Sequence, residues 1–138
     1  MPGKSNFLET LVLRHVFIGA TAAPSSGWVG LHNGTVVDAA SGTEISTVGT
    51  NYGRMQYAQG SANWTSLAAP SSAPNSTMTN KAAINFSSAT ASYTVNAVGY
   101  WNSSAAGELL YMSSVVPKII EVGDIPMITV GDFKISEE

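Results

Sequence analysis

The sequence predicts a mostly β domain, an antiparallel β-sandwich of jelly-roll type with a short N-terminal α-helix. Three observations lead there. Apolar residues recur at helical spacing in one segment only, close to the N-terminus. Beyond it, short runs rich in β-branched and aromatic residues return at roughly 8–12-residue intervals, separated by turn signals. The charged fraction is only 11%, against roughly a quarter in typical domains, and Ser, Thr, Asn, Gly and Ala take the place of the missing charges.

The helix is expected over Asn6–Ile18. Asn6 reads as its N-cap, with Glu9 completing a capping box. Leu8, Leu11, Val12 and His15 form an i, i+3, i+4, i+7 face, which Phe7, Leu13, Phe17 and Ile18 widen. Gly19 is a ready C′ residue. A helix apolar on most of its sides is either fully buried or packed between subunits, which makes Phe7, Leu11 and Phe17 interface candidates. Gly27–His32 reads as a strand closed by the turn dipeptide Asn33-Gly34. Further strands are expected at Thr43–Ser46, Arg54–Ala58, Ala83–Phe86, Tyr93–Trp101, Glu108–Ser113, Val115–Val122 and Pro126–Ile135. The stretch Ser66–Lys81 contains Pro70 and Pro74 and shows no apolar period, so it reads as a long surface loop. Val122-Gly123-Asp124 and Val130-Gly131-Asp132 read as two tight turns with Gly at positive φ. The tail from Ser136 onward is expected to fray. Residues 1–138 thus make one domain, with the helix at 6–18 and the sandwich at 27–135, a size near the usual mode.

Composition excludes several function classes. A net charge of −3 with six scattered cations provides no basic stripe, so nucleic acid is not the expected partner. The apolar stretch Leu8–Ile18 is too short to span a bilayer. With Lys4 and the small residues Ala20–Ala23 it imitates a signal peptide, but Glu9, Arg14 and His15 interrupt it where a signal sequence carries no charge. There is no cysteine, hence no disulfide framework, thiolate nucleophile or Cys-based metal site. Five Asn-x-Ser/Thr sequons, at Asn33, Asn63, Asn75, Asn85 and Asn102, fall within the chance expectation of so Asn-, Ser- and Thr-rich a chain.

The catalytic inventory is thin. His15 sits in the helix and His32 at a strand end, where a solvated residue is expected. No Gly-x-Ser-x-Gly elbow, His-Glu-x-x-His pair, calcium loop or phosphate-cradling loop is present. The nine acids each have an ordinary cap, strand or turn role, and the spacing brings no two together as a glycosidase needs. No enzyme activity, cofactor or metal is expected. Sugar stacking is the sharpest alternative, through Trp28, Trp64, Trp101, Tyr52, Tyr57, Tyr100 and Tyr111. Of these, only Trp64, isolated before the long loop, is expected to be exposed, as a stacking platform or an interface anchor. Glu44 and Arg54 flank the turn-rich segment 46–53 and are expected to meet as a partly buried salt bridge.

Taken in order, these segments resemble a family of small tailed-phage virion proteins described as tail-fibre-like or as capsid decoration (cement) proteins. The resemblance starts at the helix and Trp28-Val29-Gly30-Leu31. It continues through Gly42–Ser46 and Tyr52-Gly53-Arg54-Met55-Gln56, then Asn80–Phe86 with Ala89-Thr90-Ala91. It ends with Val98-Gly99-Tyr100-Trp101, Ala106–Tyr111 and the two Val-Gly-Asp turns. The chain departs from the pattern at Ser87, where the family often has Pro, and at Asn102, where Asp is usual. The resemblance implies a virion structural protein assembled in the host cytoplasm. The role expected first is capsid decoration, stabilising the shell through contacts with the major capsid protein or other virion proteins; anything that binds only the assembled shell stabilises it by mass action. A tail-fibre or tail-tip component is the alternative, and a carbohydrate-binding module is the alternative from another class. The low charge and the apolar helix point to a homo-oligomer. A trimer is favoured, because fibres and decoration spikes are often threefold, with a dimer as the other possibility.

Overall fold

The computed structural model describes residues 3–19, 26–34, 44–65 and 76–137. It is mostly β, with antiparallel pairing throughout and one helix, α1 (Asn6–Ile18). The central element is a five-stranded sheet in the order β1 (Gly3–Lys4), β7 (Leu109–Ile120), β6 (Tyr93–Trp101), β2 (Trp28–His32), β3 (Met55–Gln56). Two ribbons accompany it: β4 (Ser76–Thr79) pairs with β9 (Lys134–Glu137), and β5 (Ile84–Asn85) with β8 (Met127–Ile128). The β class and the antiparallel pairing are as expected. A sheet of five and two ribbons of two do not by themselves specify a jelly roll.

Strand alternation gives the sheet two different faces. Val29, Leu31, Val98 and Tyr100 point into the main core, where Ile84 and Phe86 from the β5 region and Phe133 beside β9 meet them. Trp28, Ala97 and Trp101 point the other way and form a smaller cluster with Leu109 and Met112. A bulge between Tyr100 and Trp101 leaves Leu110 without an opposite residue. Consecutive residues Leu110 and Tyr111 can therefore both join the main core.

Several boundaries differ from those expected. The runs Glu108–Ser113 and Val115–Val122 are one strand, because Ser114 still pairs with Ala97 and a second irregularity, between Val95 and Ala97, absorbs the ring of Pro117. The presumed loop Ser66–Lys81 contains β4, and its partner β9 includes Ser136 and Glu137, which were expected to fray. That pairing joins segments far apart in sequence, and its apolar members Met78 and Ile135 pack on the core; local composition carries no such signal. Residues 66–75 of that loop lie outside the described residues. Gly123 and Gly131 adopt φ of 93° and 82°, as the two Val-Gly-Asp turns require.

The bounds of α1 match the expectation, but its cap does not. Ser5, not Asn6, caps the helix: its Oγ accepts from the Leu8 N–H at 3.2 Å. The Ser5 hydroxyl also donates to the Leu109 carbonyl, and its N–H donates to the Leu110 carbonyl at 3.0 Å. One residue thus fixes the helix to the Leu109 end of β7. Leu8 packs against the core, yet no residue of α1 is fully buried. Full burial of the helix is thereby excluded.

Candidate functional site

The densest group of polar chemistry lies on the second face of the sheet, over the cross-strand pair Gly30 and Gly99. A Cβ at Gly99 would stand 2.7 Å from His32 Nε2, and one at Gly30 would stand 3.1 Å from Glu44 Oε1. Glycine at both positions leaves room for the groups above them. There Glu44, bridged to His32 at the end of β2, meets Arg54 in a two-pronged ion pair. Nε donates to Oε1 and an Nη to Oε2, both at 2.8 Å. The Arg54 side chain is 5% exposed and that of Glu44 25%. The other Nη of Arg54 donates to the carbonyls of Ser103 at 2.8 Å and Ala106 at 2.7 Å. The guanidinium carbon lies 3.7 Å from the centroid of Trp101, whose ring stacks in turn with His32 at 5.7 Å.

Tyr52 completes the group. Its hydroxyl donates to Glu44 Oε1 at 2.8 Å and accepts from the Leu31 N–H at 2.9 Å. Burial, with the Glu44 charge beside it, pushes the Tyr52 hydroxyl well above its ordinary value. Burial alone would also raise Glu44, but the hydrogen bonds from Arg54 and Tyr52 outweigh it and hold the carboxyl below its ordinary value. The Glu44 carboxylate, the Arg54 guanidinium and the Tyr52 hydroxyl are each directed at protein partners. The arrangement joins three segments: Glu44, the Tyr52–Arg54 approach to β3, and the Ser103–Ala106 loop between β6 and β7. In that loop Ala106 sits at φ 51°, a conformation that Arg54 secures by binding its carbonyl. The chemistry is that of a staple.

The other residues singled out from the sequence divide in two. Trp64, expected at the surface, is buried. It packs edge-on against Tyr57 at 5.2 Å and Tyr100 at 5.4 Å, with Phe133 tilted at 5.6 Å. The reason is non-local: Trp64 bridges to Asn80, which draws it under the ribbons. Tyr52, Tyr57, Tyr100, Trp101 and Tyr111 are buried as well and Trp28 half-buried, so the seven aromatics form no exposed stacking platform. His32, expected to be solvated, is fully buried. Phe7 and Phe17 are exposed and Leu11 half-buried on α1.

Sequence reasoning missed Tyr52, Trp101 and His32 as partners of the ion pair, and it missed Asn80. The Asn80 side chain donates to the carbonyls of Ala82 at 2.8 Å and Thr129 at 2.9 Å and accepts from the Phe133 N–H at 2.9 Å. A lone Asn before a predicted strand gives no hint of that clamp. Among the described residues, no group of three or more His, Cys, Asp or Glu is placed to hold a metal, and no helix is long and apolar enough to cross a membrane.

The polar side chains of Glu44, Arg54 and Tyr52 are thus turned to one another, while Val16, Phe17 and Ile18 of α1 are exposed. The family profile described as podophage GP4 fiber I protein gp80 matches residues 3–136. The chain belongs to this family. It is a small tailed-phage virion protein of the tail-fibre-like kind, a structural component of the particle that meets other virion proteins there. No individual curated protein matches the chain. The profile runs from β1 through β9, so the helix, the stapled loop and both ribbons all belong to the fibre family's common unit.

Proposed function

We propose that the chain is a non-enzymatic building piece of a phage tail fibre, acting through protein–protein contacts as a homo-oligomer, with a trimer favoured. The family match over residues 3–136 carries this reading, and it favours the fibre position over the capsid decoration role that the sequence alone put first. The staple supports the absence of catalysis: its carboxylate, guanidinium and phenol are all committed to holding segments together. The exposed helix supports a role in contact. We read the two ribbons, which share a core with the five-stranded sheet, as the second layer of a sandwich.

Quantifying the protein in purified particles tests the position. A fibre component is expected as a minor band, far below the major capsid protein in molar amount. A band comparable to the major capsid protein would mean decoration of the shell and overturn the fibre assignment.

A further inference from the structure

We infer that Asn33 is a site of self-modification, at which the backbone nitrogen of Gly34 attacks the Asn33 side-chain amide and turns it into a carboxylate. Asn33 lies in the bend just past β2 and is exposed to water. The last rung between β2 and β6 joins His32 to Ala97, so the peptide between Asn33 and Gly34 lies beyond that ladder. Among the described residues the Asn33 side chain makes no hydrogen bond; its backbone carbonyl does. Every other asparagine of the chain precedes Phe, Tyr, Trp, Lys, Ser or Ala, whose Cβ crowds the nitrogen that must attack. Gly34 has no Cβ, and its backbone is free to bend toward the side chain.

The reaction needs no co-reactant but water. Loss of the Gly34 N–H proton leaves an anion shared between that nitrogen and the Asn33 carbonyl oxygen, because both belong to one resonant peptide unit. The nitrogen then bonds to Asn33 Cγ, the Cγ–Nδ2 bond breaks, and Nδ2 takes up the proton and leaves as ammonia. The product is a cyclic imide. Water opens it at Cγ to give aspartate, or at the backbone carbonyl to give isoaspartate, in which the chain runs through Cγ.

What sets this peptide apart is Asn96. Its Nδ2 donates to the Asn33 carbonyl at 2.8 Å, and the register of β2 against β6 brings the two residues together. A hydrogen bond to an ionised acceptor is stronger than one to a neutral acceptor. Asn96 therefore stabilises the anion of the first step more than the resting peptide. Either product adds a negative charge to a chain of net charge −3. Isoaspartate also lengthens the backbone between β2 and Glu44, the carboxylate of the staple.

The full chain provides the test, kept in warm, mildly alkaline buffer and followed by mass spectrometry of its proteolytic peptides. The gain of one mass unit is expected at Asn33 before any other asparagine. Asn96→Ala, with its fold checked by circular dichroism, is expected to slow that gain about fivefold, the factor for losing the extra strength of a hydrogen bond to an ion. Wild type unfolded in guanidinium chloride keeps the Asn33-Gly34 pair but loses the contact with Asn96, and it is expected to be slowed to the same degree. That second arm decides the matter even if Asn96→Ala does not fold. A folded wild type that modifies Asn33 no faster than the unfolded chain would overturn the inference. Another asparagine changing first would overturn it as well.

Discussion

Replacing Trp64 by Ala is expected to destabilise the domain by about 3–5 kcal/mol, the range for removing a large aromatic from a packed core. The indole stands between Tyr57, Tyr100 and Phe133, and so joins the central sheet to the turn before β9. Its neighbours cannot close the gap, because their hydroxyls are committed. Tyr100 donates to the Tyr57 carbonyl at 2.8 Å, and Tyr57 donates to the Asn63 carbonyl at 2.6 Å while accepting from the Lys81 N–H at 3.0 Å. Moving either ring into the cavity would break hydrogen bonds worth about 1 kcal/mol each. Denaturant unfolding followed by circular dichroism measures the loss, and Trp64→Phe should recover part of it. A change below about 1 kcal/mol would place Trp64 at the surface after all.

Arg54→Ala is expected to cost about 3 kcal/mol, the lower end of the range for breaking a buried ion pair, because Glu44 keeps some access to water. The substitution strands the carboxylate, frees the carbonyls of Ser103 and Ala106 and uncovers Trp101. The double change Glu44→Ala/Arg54→Ala should therefore cost less than the two single changes together. Strict additivity would contradict the staple. The pair also has a signature in acid. Glu44 has its carboxyl below the ordinary value of 4.5 when folded. Its contribution is complete above that ordinary value and is lost as the pH falls through the folded value. Stability measured from about pH 6 down to pH 3 should fall more steeply in the wild type than in Arg54→Ala. Parallel curves would show that Arg54 does not hold Glu44 charged.

What the sequence disclosed was local. The helix bounds followed from the spacing of Leu8, Leu11, Val12 and His15 and from Gly19, and Tyr93–Trp101 is continuous enough in β-branched and aromatic residues to be read as it stands. The meeting of Glu44 and Arg54 was legible because they are ten residues apart around one turn-rich loop. Long-range pairing was not legible. β4 carries no more apolar character than a loop, and it becomes a strand only because β9 arrives to pair with it. Trp64 and His32 were misplaced for the same reason: each is buried by a segment distant in sequence or by a partner across the sheet. The small side of the Gly30–Gly99 pair is invisible until the register of β2 against β6 is known, and the roles of Tyr52 and Trp101 depend on it.

Labelling intact particles tests most directly whether the chain is part of a tail fibre. Antibody fragments raised against the folded protein and imaged on purified phage by electron microscopy are expected to mark the tail end of the particle and leave the shell bare. Label spread over the capsid lattice, with the tail unmarked, would contradict a place in the fibre.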